Sequence, residues 1–173
     1  NVVGVAQEDI YVGDPMKHIY KDVYEKWHAE FPDVHYIDVS YNTLGREQVS
    51  PSSTAVIDYS DRGAVLREGD WTSALTGDPI HTDNLYTILE EMEYMINLPT
   101  MKGHERGGVT MFAKNHFGSH TRSDAKHLHG GLTDIGLDSL RNQYGMYRVL
   151  VDIMGHELLG NKNLLYLMDA LYS

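Results

Sequence analysis

The order of local signals in the first forty residues constrains this chain most. Residues 10–12 (Ile-Tyr-Val) form a short β-branched and aromatic run, which predicts a strand. Asp14 and Pro15 follow, an N-cap residue and a first-turn proline. Ile19, Tyr20, Val23 and Trp27 then recur at helical spacing, so a helix is predicted over residues 15–31, ended by Pro32 and Asp33. Residues 34–39 (Val-His-Tyr-Ile-Asp-Val) predict a second strand. Parallel neighbours need a crossover long enough to hold a helix, so strand, helix, strand predicts a parallel βαβ unit.

Similar signals continue along the chain. Residues 54–59 predict a third strand, and the turn-rich residues 61–79 an excursion with a small hairpin. Residues 84–95 have helical periodicity, residues 94–98 (Tyr-Met-Ile-Asn-Leu) read as a buried strand, and Pro99 ends it. A helix is predicted over residues 144–159, and a strongly apolar strand over residues 163–168 that runs into Asp169. The expected fold class is α/β, a mostly parallel sheet with flanking helices. No repeat or linker interrupts residues 1–173, so a single α/β domain is expected. The chain opens on Asn1 and stops just after a core strand, which suggests a fragment from the middle of a longer protein.

Composition narrows the functional classes. Hydrophobic residues make up 42% and charged residues 23%, enough apolar material for a packed core. The net charge of -11 repels phosphate backbones, so no nucleic-acid partner is expected. No apolar run approaches the ~20 residues that span a bilayer. There is no cysteine, which excludes disulfides and a cysteine-ligated iron–sulfur cluster in this segment. Neither the compartment nor the oligomeric state is legible.

Of ten histidines, five fall between His104 and His129. His104 follows the predicted strand 94–98 through a short loop. Ligands bind at the carboxyl ends of strands in open parallel sheets, so a histidine there suits acid–base work near neutral pH. Lys102 and Arg106 flank it. Lys114 closes the apolar run 109–113; if that run is helical, Lys114 shares a side with Thr110. A lysine at that position calls for a partner or a function. It could bind an anion, form an imine or carry a covalent cofactor. Asn115 stands beside it. His127 and His129 would face one side of a strand, and His116 and His120 would share a helical face, spacings that suit a divalent metal. Arg122 suits a substrate carboxylate or phosphate. Asp14 and Asp169 each follow a predicted strand and could enter one crevice; Asp169 is a further metal-ligand candidate, and Asp14 is also a helix cap.

Tyr94-Met95-Ile96-Asn97-Leu98-Pro99-x-x-Lys102-x-His104, Val109-Thr110-x-x-x-Lys114-Asn115-His116-Phe117-Gly118, Arg122, His127 and the closing Leu164–Ala170 run together resemble an uncharacterised bacterial and archaeal family. It is a domain of unknown function sometimes fused to ferredoxin-type iron–sulfur modules. The resemblance spans roughly residues 10–172. By spacing, His104, Lys114 and His129 are also similar to nickel-dependent lactate racemases. That similarity implies an acid–base histidine, a lysine carrying a pincer nickel cofactor, and a nickel-ligating histidine. The glycine-rich context those enzymes show before the lysine is Val-Thr-Met-Phe-Ala here.

Together these features predict a metal- or cofactor-dependent enzyme acting on a small acidic substrate. His104 and Lys114 would be catalytic. Lys102, Arg122 and Asn115 would bind substrate. His116, His127, His129 and Asp169 would be candidate ligands for Ni, Zn or Fe. The alternative is a non-catalytic anion- or metal-binding module.

Overall fold

A computed structural model describes residues 4–39, 44–60, 78, 80–104, 108–132 and 149–170. The expected hairpin in residues 61–79 lies outside the described residues, apart from Asp78. The described elements confirm an α/β fold. The chain forms two compact units, residues 1–50 and 51–173.

In the first unit, strand β1 (Tyr11–Gly13) pairs in parallel with β2 (His35–Ile37) across helix α1 (Lys21–Glu30). The βαβ unit read from the sequence is present. Its helix starts later than predicted, for a local reason. The Asp14 carboxylate accepts the Met16 N–H at 2.7 Å, and Asp38 accepts the Ile19 N–H at 2.5 Å. Side chains thus take backbone donors that a helical turn would have used. Asp38, fully buried at the end of β2, also faces Arg46 at 3.4 Å and the His18 ring at 3.2 Å. Tyr24 packs edge-on against Tyr36, with Ile19 completing the small core. Gly13 has φ +147°, and a Cβ there would lie 1.9 Å from the Ile37 carbonyl oxygen. Only glycine lets the strands meet so closely.

In the second unit the described sheets are each two-stranded. Strand β3 (Pro51–Asp58) pairs antiparallel with β4 (Thr82–Tyr86). The four-residue helix α2 (Ile88–Glu91) follows, then β5 (Met95–Asn97). Strands β6 (Lys102–His104) and β7 (Gly108–Thr110) form an antiparallel hairpin, followed by helix α3 (Phe112–Asn115). Helix α4 (Val149–Gly155) leads into β8 (Asn163–Tyr166), which pairs in parallel with β5. The sheet is therefore smaller and less uniformly parallel than expected.

One predicted helix gives way to strand at its start. Residues 84–86 belong to β4, because Asp83 and Leu85 alternate inward there and Asn84 donates to the Ser52 carbonyl at 2.7 Å. The helix in that stretch shrinks to α2, whose carbonyl ends are bound by the Lys162 ammonium, 2.6 Å from both Leu89 O and Met92 O. The run 109–113 splits between β7 and α3. Of the predicted helix 144–159, residues 149–155 form α4, and residues 157–159 are turn. Strand β5 is less buried than predicted: Ile96 and its neighbour Leu98 are exposed, and Asn97 turns inward.

Helix α4 packs against α3 and against a 3-10 turn at Ser123–Gly131. Its return to β8 depends on Gly160, where an added Cβ would lie 2.1 Å from the Met154 carbonyl oxygen. Backbone cannot yield as a side chain can. Gly160→Ala is therefore expected to destabilise the protein by about 1–3 kcal/mol, the usual range for forced overpacking. Urea denaturation at pH 7 checks this; an unchanged midpoint would refute it.

Candidate functional site

The histidine-rich stretch folds as β6, β7, α3, the 3-10 turn His116–Ser119 and the 3-10 turn Ser123–Gly131. The nine residues singled out by sequence fall into separate groups.

The first group joins three segments. The His104 ring at the end of β6 stacks on the His129 ring of the Ser123–Gly131 turn, with centroids 5.4 Å apart and planes 20° apart. Phe117 meets His129 edge-on at 5.3 Å. The Lys114 ammonium of α3 stands 4.0 Å over the Phe117 ring, a cation–π contact. His104, Lys114 and His129 thus come together around Phe117. Lys102 lies two residues before His104 on β6, so it shares that strand's face. Burial, then the charges of Lys114 and His104, push the His129 pKa down to about 4. His129 Nδ1 lies 3.2 Å from the carbonyl oxygens of Ala125 and Lys126 and can only donate to them. This fixes the Nδ1–H tautomer and leaves Nε2 as an unprotonated lone pair.

The second group centres on Asp83, which the sequence reading missed. It is 2% exposed on β4. One carboxylate oxygen accepts from Arg122 Nε; the other accepts from His127 Nε2 and the Tyr59 hydroxyl. Burial alone would raise the Asp83 pKa, but the bonds from His127 and Tyr59 and the nearby histidine charges hold it below the ordinary carboxylate value. Arg122 and His127, expected at substrate and metal, are therefore ligands of a buried carboxylate. His127 and His129 lie on a 3-10 turn rather than a strand, and they face different partners. His120 stacks on Tyr59, meets His127 edge-on, donates from Nδ1 to the His116 carbonyl at 3.0 Å, and leaves its buried Nε2 with no hydrogen bond among the described residues.

The third group is an amide network. Asn97 and Asn163 each donate to His116 Nε2 at 3.1 Å, and Asn115 donates to Asn97 Oδ1 at 2.9 Å. His116 thus faces β5 and β8, and Asn115 binds Asn97. Burial lowers the pKa of both His116 and His120 to about 4. Asp169 is exposed; its backbone brackets the loop before β6, with its N–H on Pro99 O and its carbonyl on Met101 N. Asp14 lies in the first unit, its pKa raised by burial against the lowering of its backbone bond. Among the described residues, no group of three or more histidine or carboxylate side chains is arranged to hold a metal ion.

Fold and site together define an α/β domain whose polar centre joins a histidine-rich segment to β4, β5 and β8. The family model for a domain of unknown function, DUF362, matches residues 52–171, well over half of the chain. The chain belongs to that family. The match begins at the second unit, later than the residue 10 expected from the sequence resemblance. No curated protein and no solved structure matches the chain.

The depressed histidines set a pH dependence. His116 and His120 are neutral in the fold down to about pH 4 but protonate near 6.5 when unfolded. The unfolded chain then binds more protons, so stability is full above pH 6.5 and is lost as pH falls towards 4. Each contributes a slope of about 1.4 kcal/mol per pH unit in that window. Asp83, with its lowered pKa, adds a further loss only below about pH 4. Urea midpoints between pH 7 and 4.5 should fall steadily, and His116→Gln should flatten the slope by about one proton. A flat profile in the parent protein would sink this account.

Proposed function

We propose that residues 102–129 form a proton-transfer site for a small acidic substrate. His104 is the general acid or base. Lys114, with Lys102, receives the substrate's negative charge. The observation that carries this reading is the meeting of His104, Lys114 and His129 from three separate segments. One imidazole stacked on a second, neutral one can pass a proton at neutral pH. The local charge agrees: Lys102, Arg106, Lys114, Arg122 and Lys126 outnumber Glu105 and Asp124 within an otherwise acidic chain. Such a cationic island draws anions.

Binding is tested with inorganic phosphate and with lactate by titration calorimetry. Lys114→Ala is expected to weaken binding at least tenfold, while His104→Ala leaves it within a few-fold. Turnover across a panel of small carboxylates and phosphate esters, followed by NMR, should vanish in His104→Ala. Equal affinity in the parent and Lys114→Ala proteins would overturn the anion assignment. Binding without turnover across the panel would favour the non-catalytic module.

A metal-dependent form of the same site is favoured by one feature, the unprotonated Nε2 of His129 beside His104. A divalent ion (Ni, Zn or Fe) held there would draw on two imidazoles of the described residues and take other ligands from substrate. This form lies nearest to the racemase resemblance, in which Lys114 would also carry a covalent cofactor. Elemental analysis and intact mass of the purified protein test it. Stoichiometric metal lost in His129→Ala, or an added mass lost in Lys114→Ala, is the expected result. A metal-free protein of unmodified mass, with a melting temperature unmoved by Ni, Zn or Fe, would discard it.

A further inference from the structure

The segment that presents His129 is an unusual piece of backbone. The Ser123–Gly131 turn is a 3-10 stretch of nine residues, and such stretches seldom exceed three or four because their hydrogen bonds are poorly aligned. Ala125 within it is fully buried at φ +47°, a left-handed conformation that an alanine adopts only under constraint. The residue capping its start, Arg122, has no side-chain capping bond to the turn. Two side chains of the segment instead reach the same buried carboxylate: Arg122 at its start and His127 near its end both donate to Asp83 on β4. Tyr59, just past β3, donates to it as well. The turn is thus pinned at two points to the β3–β4 hairpin. His129 lies two residues beyond the second pin, and its Nδ1 donates back to carbonyls of the same turn, at Ala125 and Lys126.

We infer that Asp83 is the positioning residue of the His104–Lys114–His129 site. By gripping Arg122 and His127 it holds the strained turn in the one shape that fixes the His129 tautomer and aims its ring at His104. Asp83 touches none of the three site residues in the described contacts and acts through the turn alone. The inference rests on the proposed proton-transfer site for its purpose. Its geometry and its test do not depend on any activity.

The test reads the histidine rings directly. Long-range proton–nitrogen NMR at one fixed pH, 7.5, distinguishes Nδ1–H from Nε2–H imidazole. Asp83→Asn keeps the side-chain volume but replaces one acceptor oxygen with a donor, so it cannot serve both arms of the grip. In folded Asp83→Asn, His129 should lose its Nδ1–H signature and its Phe117 ring-current shift. His116, held by Asn97 and Asn163, should keep its signals. Should Asp83→Asn fail to fold, His127→Leu, which removes the N–H of one arm alone, is read in the same way with the same expectation. Asp83→Glu, with the carboxylate restored one methylene further out, should recover part of the His129 signature. An unchanged His129 in folded Asp83→Asn or His127→Leu would overturn the assignment. Equal changes at His129 and His116 would also overturn it, since that is general loosening rather than positioning. No phosphate binding by the parent protein, together with the expected His129 change in Asp83→Asn, would count against the proposed function and leave the role of Asp83 standing.

Discussion

The second unit is organised by one buried carboxylate. Asp83 sits inside the β3–β4 hairpin and is satisfied by an arginine and a histidine from the histidine-rich stretch and a tyrosine just past β3. A buried carboxylate without such donors would be costly enough to protonate or to unfold its surroundings. With them it stays ionised, as its lowered pKa reflects. The reciprocal demand matters as much. His127 is nearly sealed from solvent, and its ring N–H has to end on an acceptor. The hairpin and the 3-10 turn therefore fix each other.

Around this centre the polar groups are sorted by depth. The amide network of Asn97, Asn115, Asn163 and His116 joins β5, α3 and β8 with neutral hydrogen bonds, and burial there keeps His116 uncharged. Less deeply buried, Lys114 lies over Phe117 and His104 stacks on His129. Charged groups are cheap where water reaches them, and a lone pair stays available where it does not. The histidine-rich segment and its β4 partner both fall within the residues that the family model matches.

Much of the layout was legible beforehand. The βαβ unit of the first forty residues followed from strand and helix periods alone, as did the two strands that pair as β5 and β8. The stretch 102–129 was marked by its density of titratable groups, and His104, Lys114 and His129 do converge there. The errors share a cause. Residues 84–95 carry an apolar period compatible with a helix, yet pairing with β3 claims their start, because a ladder of cross-strand bonds outweighs propensity over a few residues. Asp83 escaped notice for the same reason. Read before a helix, it is an ordinary polar residue; read in a strand, it shares the inward face with Leu85, which was the signal available. That Arg122 and His127 bind Asp83 was not legible, because nothing in sequence showed a carboxylate some forty residues upstream.

Sequence by itself determined the βαβ pattern of the first forty residues, that the chain mixes short strands with helices, and which segment gathers the imidazoles and cations. Those properties are local: hydrophobic period, turn residues and composition act over a few residues at a time. Tertiary structure decided how the five histidines of that segment divide. One meets Asp83, one meets two asparagines, one is buried with an unused nitrogen, and two stack on each other. Each ring's surroundings depend on what burial brings against it, and for His116 and His127 those neighbours come from strands well away in the chain.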